Sequence, residues 1–295
     1  MRLPFVVASI ALGMMVSLAA RADTSPATNG KRRAGVTIQV DNQGWGAVDT
    51  RQVEVVLHSV ANLLLDDQPD RLIKVRVSHT EANPVALYER GPDGEYLIRL
   101  HADRTRWHLY VYEFAHEFCH ILSNYDRAGG EISRQNQWFE ETICETASLY
   151  ALGSLATEWS LAPPEPSLAS HADDLRRFFR FLITERHRKL PEDTELREWL
   201  REHQAQLSAD PYRRDQNDLV AKTVLPLFFA DPRGWEAINY LNLHPDDPSA
   251  SLDEFMRHWH ANAPERDRPF VAKLSALLLN ADVISAAPTK MASAP

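Results

Sequence analysis

The chain has few cysteines, a deficit of cations and, beyond its first residues, no long apolar run. Two cysteines, Cys119 and Cys144, stand among 295 residues, and none follows the N-terminal apolar segment to take a lipid. Lysine and arginine number 32 against 41 acidic residues. So acidic a chain has no electrostatic footprint for nucleic acid. No stretch after the N-terminus approaches the roughly 18 apolar residues that suggest a membrane span. No internal repeat is visible, which argues against a solenoid.

The N-terminus does carry a short apolar run. Arg2 supplies a positive start, Leu3 to Leu18 an apolar stretch, and Ala20-Arg21-Ala22 a small-x-small end. This pattern predicts a secretory signal peptide over residues 1–22, with cleavage before Asp23 and a periplasmic or secreted product. The alternative, a membrane anchor, requires a longer run than one interrupted by Pro4, Ser9 and Gly13. Cleavage would remove Arg2 and Arg21 and no acid, making the mature chain more acidic still. Residues 23–35 are polar and rich in Pro, Gly, Ser and Thr, as expected of a flexible linker, and residues 281–295 read as a disordered tail.

Between these ends the pattern is mixed. Val36–Val40 reads as a strand, Gln52–Asp66 as an amphipathic helix, and Leu72–Ser78 alternates as a half-buried strand. Val85–Arg90 and Glu95–Leu100 flank Gly91-Pro-Asp-Gly94, a hairpin signal. From Pro163 onward only helical patterns appear, near 168–189, 192–206, 212–229, 235–242, 252–261 and 268–279. Arg176-Arg177-Phe-Phe-Arg180 with Arg186-His-Arg-Lys189 reads as a solvated basic face rather than a surface for a partner or membrane.

The chemistry-bearing stretch is Tyr112-Glu-Phe-Ala-His116-Glu117-Phe-Cys-His120-Ile-Leu122, inside a run free of proline and glycine from Trp107 to Tyr125. On a helix, residues four apart lie about 40° apart round the axis and about 6 Å along it. His116 and His120 can then present two imidazoles to one metal ion, with Glu117 beside them as a general base toward a metal-activated water. A helix with one buried and one half-exposed histidine is the plain alternative. A second helical stretch, Trp138 to about Leu155, carries Glu140, Glu141 and Glu145 among apolar and small residues. Acids there are costly to bury unless paired or metal-bound. A helix N-terminus decorated with acids is the other reading of them. One cysteine falls in each helix, so a disulfide Cys119–Cys144 clamping the pair and two buried free thiols are both open.

His116-Glu117-x-x-His120 with Trp138-Phe139-Glu140-Glu141 resembles the gluzincin metallopeptidases. In the aminopeptidase N branch the third zinc ligand lies in a Trp-Leu-Asn-Glu-Gly segment, and aligning Trp138 with that Trp implies Glu141 as the ligand. The thermolysin branch has an acid four residues after its ligand glutamate that supports a zinc histidine, which implies Glu141 again and gives Glu145 the supporting role. Pro211-Tyr212-Arg213-Arg214 resembles the Pro-Tyr-x-Lys segment whose tyrosine assists the oxyanion, although Asp215 replaces the usual following glycine. A tyrosine at a helix start is the other reading of Tyr212. The Gly-x-Met-x-Asn element of those aminopeptidases is absent, so aminopeptidase activity is not carried over. The motifs cover Tyr112 to Ser148.

The resemblance implies an α+β, zincin-like fold: a small N-terminal mixed β-sheet with the metal-site helix, plus an all-helical C-terminal subdomain. The corresponding division is a catalytic domain over 36–162 and a helical subdomain over 163–280. It implies one Zn2+ held by His116, His120 and Glu141, with Glu117 and Tyr212 as catalytic residues and a peptide or protein as substrate. The competing expectations are a zincin-like binding or scaffold module without turnover, and a helical interaction protein without metal.

Overall fold

Period-two alternation builds the sheet. Strand β1 (Gly35–Val40) buries Ile38 and Val40, and β2 (Leu72–His79) buries Ile73, Val75 and Val77. Strands β3 (Val85–Arg90) and β4 (Tyr96–Leu100) form the expected hairpin. Gly94 closes its turn at φ +73°, a backbone region that glycine enters without a side-chain clash. The sheet order is β1-β2-β4-β3, with β1, β2 and β4 parallel and β3 antiparallel at one edge. Parallel neighbours need a crossover. Between β1 and β2 it is helix α1 (Thr50–Leu64), which Asp49 caps and which buries Val53, Val56, Leu57, Val60, Ala61 and Leu64.

The computed structural model describes residues 35–65, 72–128, 134–279 and 284. The expected signal peptide, all of the linker but Gly35, and all of the tail but Ile284 lie outside the described residues.

Helix α2 (Trp107–Leu122) follows β4 and packs on the sheet and on α1. Its Glu113 carboxylate accepts from the backbone N–H groups of His101 and Ala102, both at 2.8 Å, which fixes the approach from β4. Helix α3 (Gln137–Leu161) runs beyond the expected end near Leu155, because Leu155, Ala156 and Trp159 also find buried positions. It is buried on most of its circumference, as a central helix must be, and packs against α2, α4 and α6. The apolar core continues from the sheet through α3 into the later helices.

Those helices are α4 (Ala172–Thr184), α5 (Leu196–Ala209), α6 (Arg214–Ala230), α7 (Gly234–Ile238), α8 (Leu252–Asn262) and α9 (Arg268–Leu278). The chain is thus α+β and mostly helical, with one four-stranded mixed sheet among the described residues. The helix expected over 168–189 is three pieces: a 3-10 turn at Pro166–His171, α4, and a 3-10 turn at Arg186–Arg188. Glu185 breaks it with an extended backbone, φ −55° and ψ 140°. That break corrects the solvated-face expectation at one residue, since it turns Arg188 inward to 2% exposure. No helix among the described residues is long and apolar enough to cross a membrane.

Candidate metal centre

Helices α2 and α3 lie antiparallel, so ascending positions on one meet descending positions on the other. Tyr112 faces Glu145, His116 faces Glu141, and His120 faces Glu140 and Glu141. Glu141 Oε2 lies 3.3 Å from His116 Nε2 and 3.7 Å from His120 Nε2, and one donor atom from each of the three residues falls within 4.8 Å of the others. Tetrahedral zinc with bonds of 2.0–2.2 Å sets its ligand atoms roughly 3.3–3.6 Å apart. Two imidazoles and a carboxylate at this spacing fit zinc, and all three residues line one cavity of about 600 Å³, which leaves a side open.

The electrostatics agree with a cation at this place. Burial by itself would lower the His120 pKa, yet Glu141, Glu140 and Glu117 push it up to about 10. Burial would raise the Glu141 carboxyl, but the two histidines and Arg134 hold it below its ordinary value. The carboxylates thus collect positive charge where the donors converge.

Glu117 is buried and its Oε2 accepts from the Ala86 N–H of β3 at 2.6 Å. The edge strand therefore orients this carboxylate directly. Pairing of β3 with β4 is irregular between Ala86 and Arg90, and there the Leu87 carbonyl accepts from the Tyr125 hydroxyl. The edge of β3 faces the cavity through Val85 and Ala86.

The hydrogen bond to a candidate-ligand histidine expected of Glu145 is made by Glu140 instead. His120 Nδ1 meets Glu140 Oε1 at 2.8 Å, which sends Nε2 toward Glu141. Glu140 Oε2 in turn accepts from Arg134 Nη1 at 2.5 Å and Asn242 Nδ2 at 2.7 Å. Burial opposes ionisation of Glu140, but Arg134 and His120 hold its pKa below the ordinary value. Glu145 cannot reach His120, because on an antiparallel helix it lies one turn toward the N-terminal end of α2. There its Oε2 accepts from the Tyr112 hydroxyl at 2.5 Å and its Oε1 from Arg188 Nη1 at 2.7 Å.

Asn242 comes from a segment far along the chain. The loop after α2 is tied to it, with Asn124 Nδ2 donating to the carbonyls of Asn239 and Leu241 and Asn242 Nδ2 to that of Ser123. Asn124 and Asn242 both adopt positive φ, 59° and 57°, a conformation asparagine tolerates better than most residues.

Tyr212 lines the same cavity, is 67% exposed, and accepts a hydrogen bond from Gln137 Nε2 at 2.8 Å. Partial burial, with Glu141 nearby, raises its pKa, so the hydroxyl keeps its proton. Cys119 and Cys144 are buried free thiols, the second of the two readings open from the sequence. The Cys144 thiol hydrogen-bonds Cys119, and burial pushes its pKa well up. Disulfide formation proceeds through a thiolate, which this environment disfavours.

Sequence reasoning missed Arg134, Asn242, Arg188 and Asp218 as neighbours of the site. A buried arginine had one available signal: the unpaired acids of α3 require counter-charges.

No protein-family model, curated protein or solved structure matches the chain.

Proposed function

We propose that the chain is an exported zinc metallopeptidase that hydrolyses peptide bonds, with His116, His120 and Glu141 holding the metal and Glu117 as the general base. The observation that carries this reading is the joint placement of the three donors and a separately anchored Glu117 on one cavity. A pure binding site needs the donors but not an oriented carboxylate beside them.

Bound zinc supplies Lewis-acid chemistry, polarising a carbonyl and lowering the pKa of water to about 7. The Ala86 N–H holds one oxygen of Glu117 and leaves the other to take the proton of the attacking water and pass it to the departing amine. Glu140 holds His120 in the tautomer that keeps Nε2 free, and Arg134 and Asn242 hold Glu140. Tyr212, with its proton retained at the cavity mouth, donates toward the substrate oxygen that gains negative charge. The extended stretch at Val85–Ala86 offers a wall along which a peptide chain can lie.

Metal analysis and a peptide-library assay test the proposal together. Purified protein should carry about one zinc per chain. Glu117→Gln should keep that zinc and lose hydrolysis by at least about 100-fold, the lower range for a positioned general base. A wild-type protein that binds zinc and cleaves no peptide across the library is a binding module instead.

A further inference from the structure

One end of the cavity is built around carboxylates that the metal centre does not use. Glu145 on α3, Asp218 and Asn217 on α6, and Tyr112 on α2 line it, with Leu109 and Phe178 as apolar neighbours. One guanidinium serves both acids: Arg188 Nη1 reaches Glu145 Oε1 at 2.7 Å and Nη2 reaches Asp218 Oδ2 at 3.1 Å. His187 Nε2 also meets Asp218 Oδ2, at 2.9 Å. Asp218 Oδ1 has no hydrogen-bond partner among the described residues. Asn217, 5% exposed, donates through Nδ2 to the Pro211 carbonyl and leaves its Oδ1 buried without a partner.

These groups have acceptor capacity in excess of their donors. Burial and the neighbouring Glu145 raise the Asp218 pKa to about 6, as expected where two carboxylates share one arginine. The Asp218 carboxylate, on the cavity lining, keeps an oxygen that a cationic donor can meet in a charge-assisted hydrogen bond. The apolar walls suit the methylene stem of a long basic side chain, whose charged end the carboxylates then meet. Arg214 also lines the cavity, but it is exposed at the start of α6, where solvent screens it.

From this arrangement we infer that the Asp218–Glu145 end of the cavity is a subsite for a lysine or arginine side chain of the peptide substrate. The inference rests on the peptidase reading. Glu145 follows Glu141 by one helical turn, about 6 Å along α3, so the subsite takes a residue flanking the scissile bond. Asp218 is then a specificity residue, and Arg188 positions it.

The test uses two N-acetylated hexapeptides identical but for one lysine replaced by norleucine. Their affinities are measured on the zinc-loaded full chain carrying Glu117→Gln, so that binding is read without turnover. The lysine peptide should bind roughly tenfold more tightly or better, the scale of one charge-assisted hydrogen bond. Adding Asp218→Asn should bring the ratio near one by weakening the lysine peptide, and Asp218→Glu should restore it. Equal affinities in the pocket with Asp218 intact overturn the inference, and this comparison needs no folded Asp218 variant. A preference that survives Asp218→Asn overturns it too, as does one that appears only when the N-terminal amine is left free. Wild-type turnover decides the peptidase reading separately: hydrolysis with no lysine preference sinks the subsite alone, and a lysine preference in binding with no hydrolysis sinks the peptidase alone.

Discussion

His116, His120 and Glu141 bring their donor atoms together between two packed helices, whereas His244, Asp247 and His258 meet where a loop touches α8. Both sets comprise two imidazoles and a carboxylate within 4.8 Å, so donor composition does not tell them apart. Their surroundings do. In the loop set Asp247 Oδ1 meets His258 Nδ1 at 2.8 Å and Oδ2 accepts from the His244 backbone N–H at 2.9 Å. The Asp246 N–H donates to His244 Nδ1 at 3.2 Å, and the two rings stack with centroids 3.7 Å apart. Stacked rings direct their in-plane lone pairs side by side rather than at one point. Hydrogen bonds within the loop account for Asp247 and for both Nδ1 atoms of that cluster. In the helix pair, by contrast, Glu140 occupies the far nitrogen of His120 and Glu117, Glu140 and Glu141 gather round the two imidazoles, the arrangement on which the zinc proposal rests.

The two clusters should differ most in metal content. His116→Ala with His120→Ala should remove zinc from dialysed protein, while His244→Ala with His258→Ala should leave about one zinc per chain. Elemental analysis that shows the His244/His258 variant losing a full equivalent would make the two clusters equals.

A smaller effect sharpens the role of the surroundings. Arg134→Ala releases Glu140 from its guanidinium and should weaken zinc binding about 10- to 100-fold in a chelator competition, the range for groups that orient a ligand histidine. Unchanged affinity would mean that the imidazoles orient themselves without that support.

The excess acid should also appear in stability against pH. Asp218 has its pKa raised from 3.8 to about 6 by burial and Glu145, so the folded state binds its proton more tightly than the unfolded chain. Its contribution is favourable below about pH 4 and is lost as pH rises through about 6. In metal-free protein, Asp218→Asn should flatten that part of a denaturation-against-pH profile, and an unaltered slope would locate the imbalance elsewhere. The smallest change is expected from Asp247→Asn. It should cost about 1 kcal/mol in chemical denaturation, the usual scale of a hydrogen bond, with zinc affinity unchanged.

Much of the local structure is legible in the residues. Alternation marks β1 and β2, Gly91-Pro-Asp-Gly94 marks the hairpin, and the 3.6-residue period places His116 and His120 on one face of α2. Glu141 is singled out only through the resemblance to the gluzincin motifs, because Glu140 and Glu145 share the same apolar helix. The roles of Glu140 and Glu145 could not be assigned by spacing along α3 alone, because their partners depend on the direction in which α2 crosses. Arg188 reads as surface charge until the break at Glu185 turns it inward.

Local sequence sets where most helices form and which residues share a face, since those follow from backbone geometry over a few residues, although Glu185 interrupts the helix expected over 168–189. Long-range packing selects which glutamate pairs with His120, which strand holds Glu117, and that the two cysteines stay as thiols. Each of those depends on partners brought from elsewhere in the chain: Ala86 lies 31 residues from Glu117, and Asn242 lies 102 from Glu140. Packing, rather than local propensity, sets such meetings, because the cost of closing a loop grows slowly with its length and leaves many partners accessible until the core selects one.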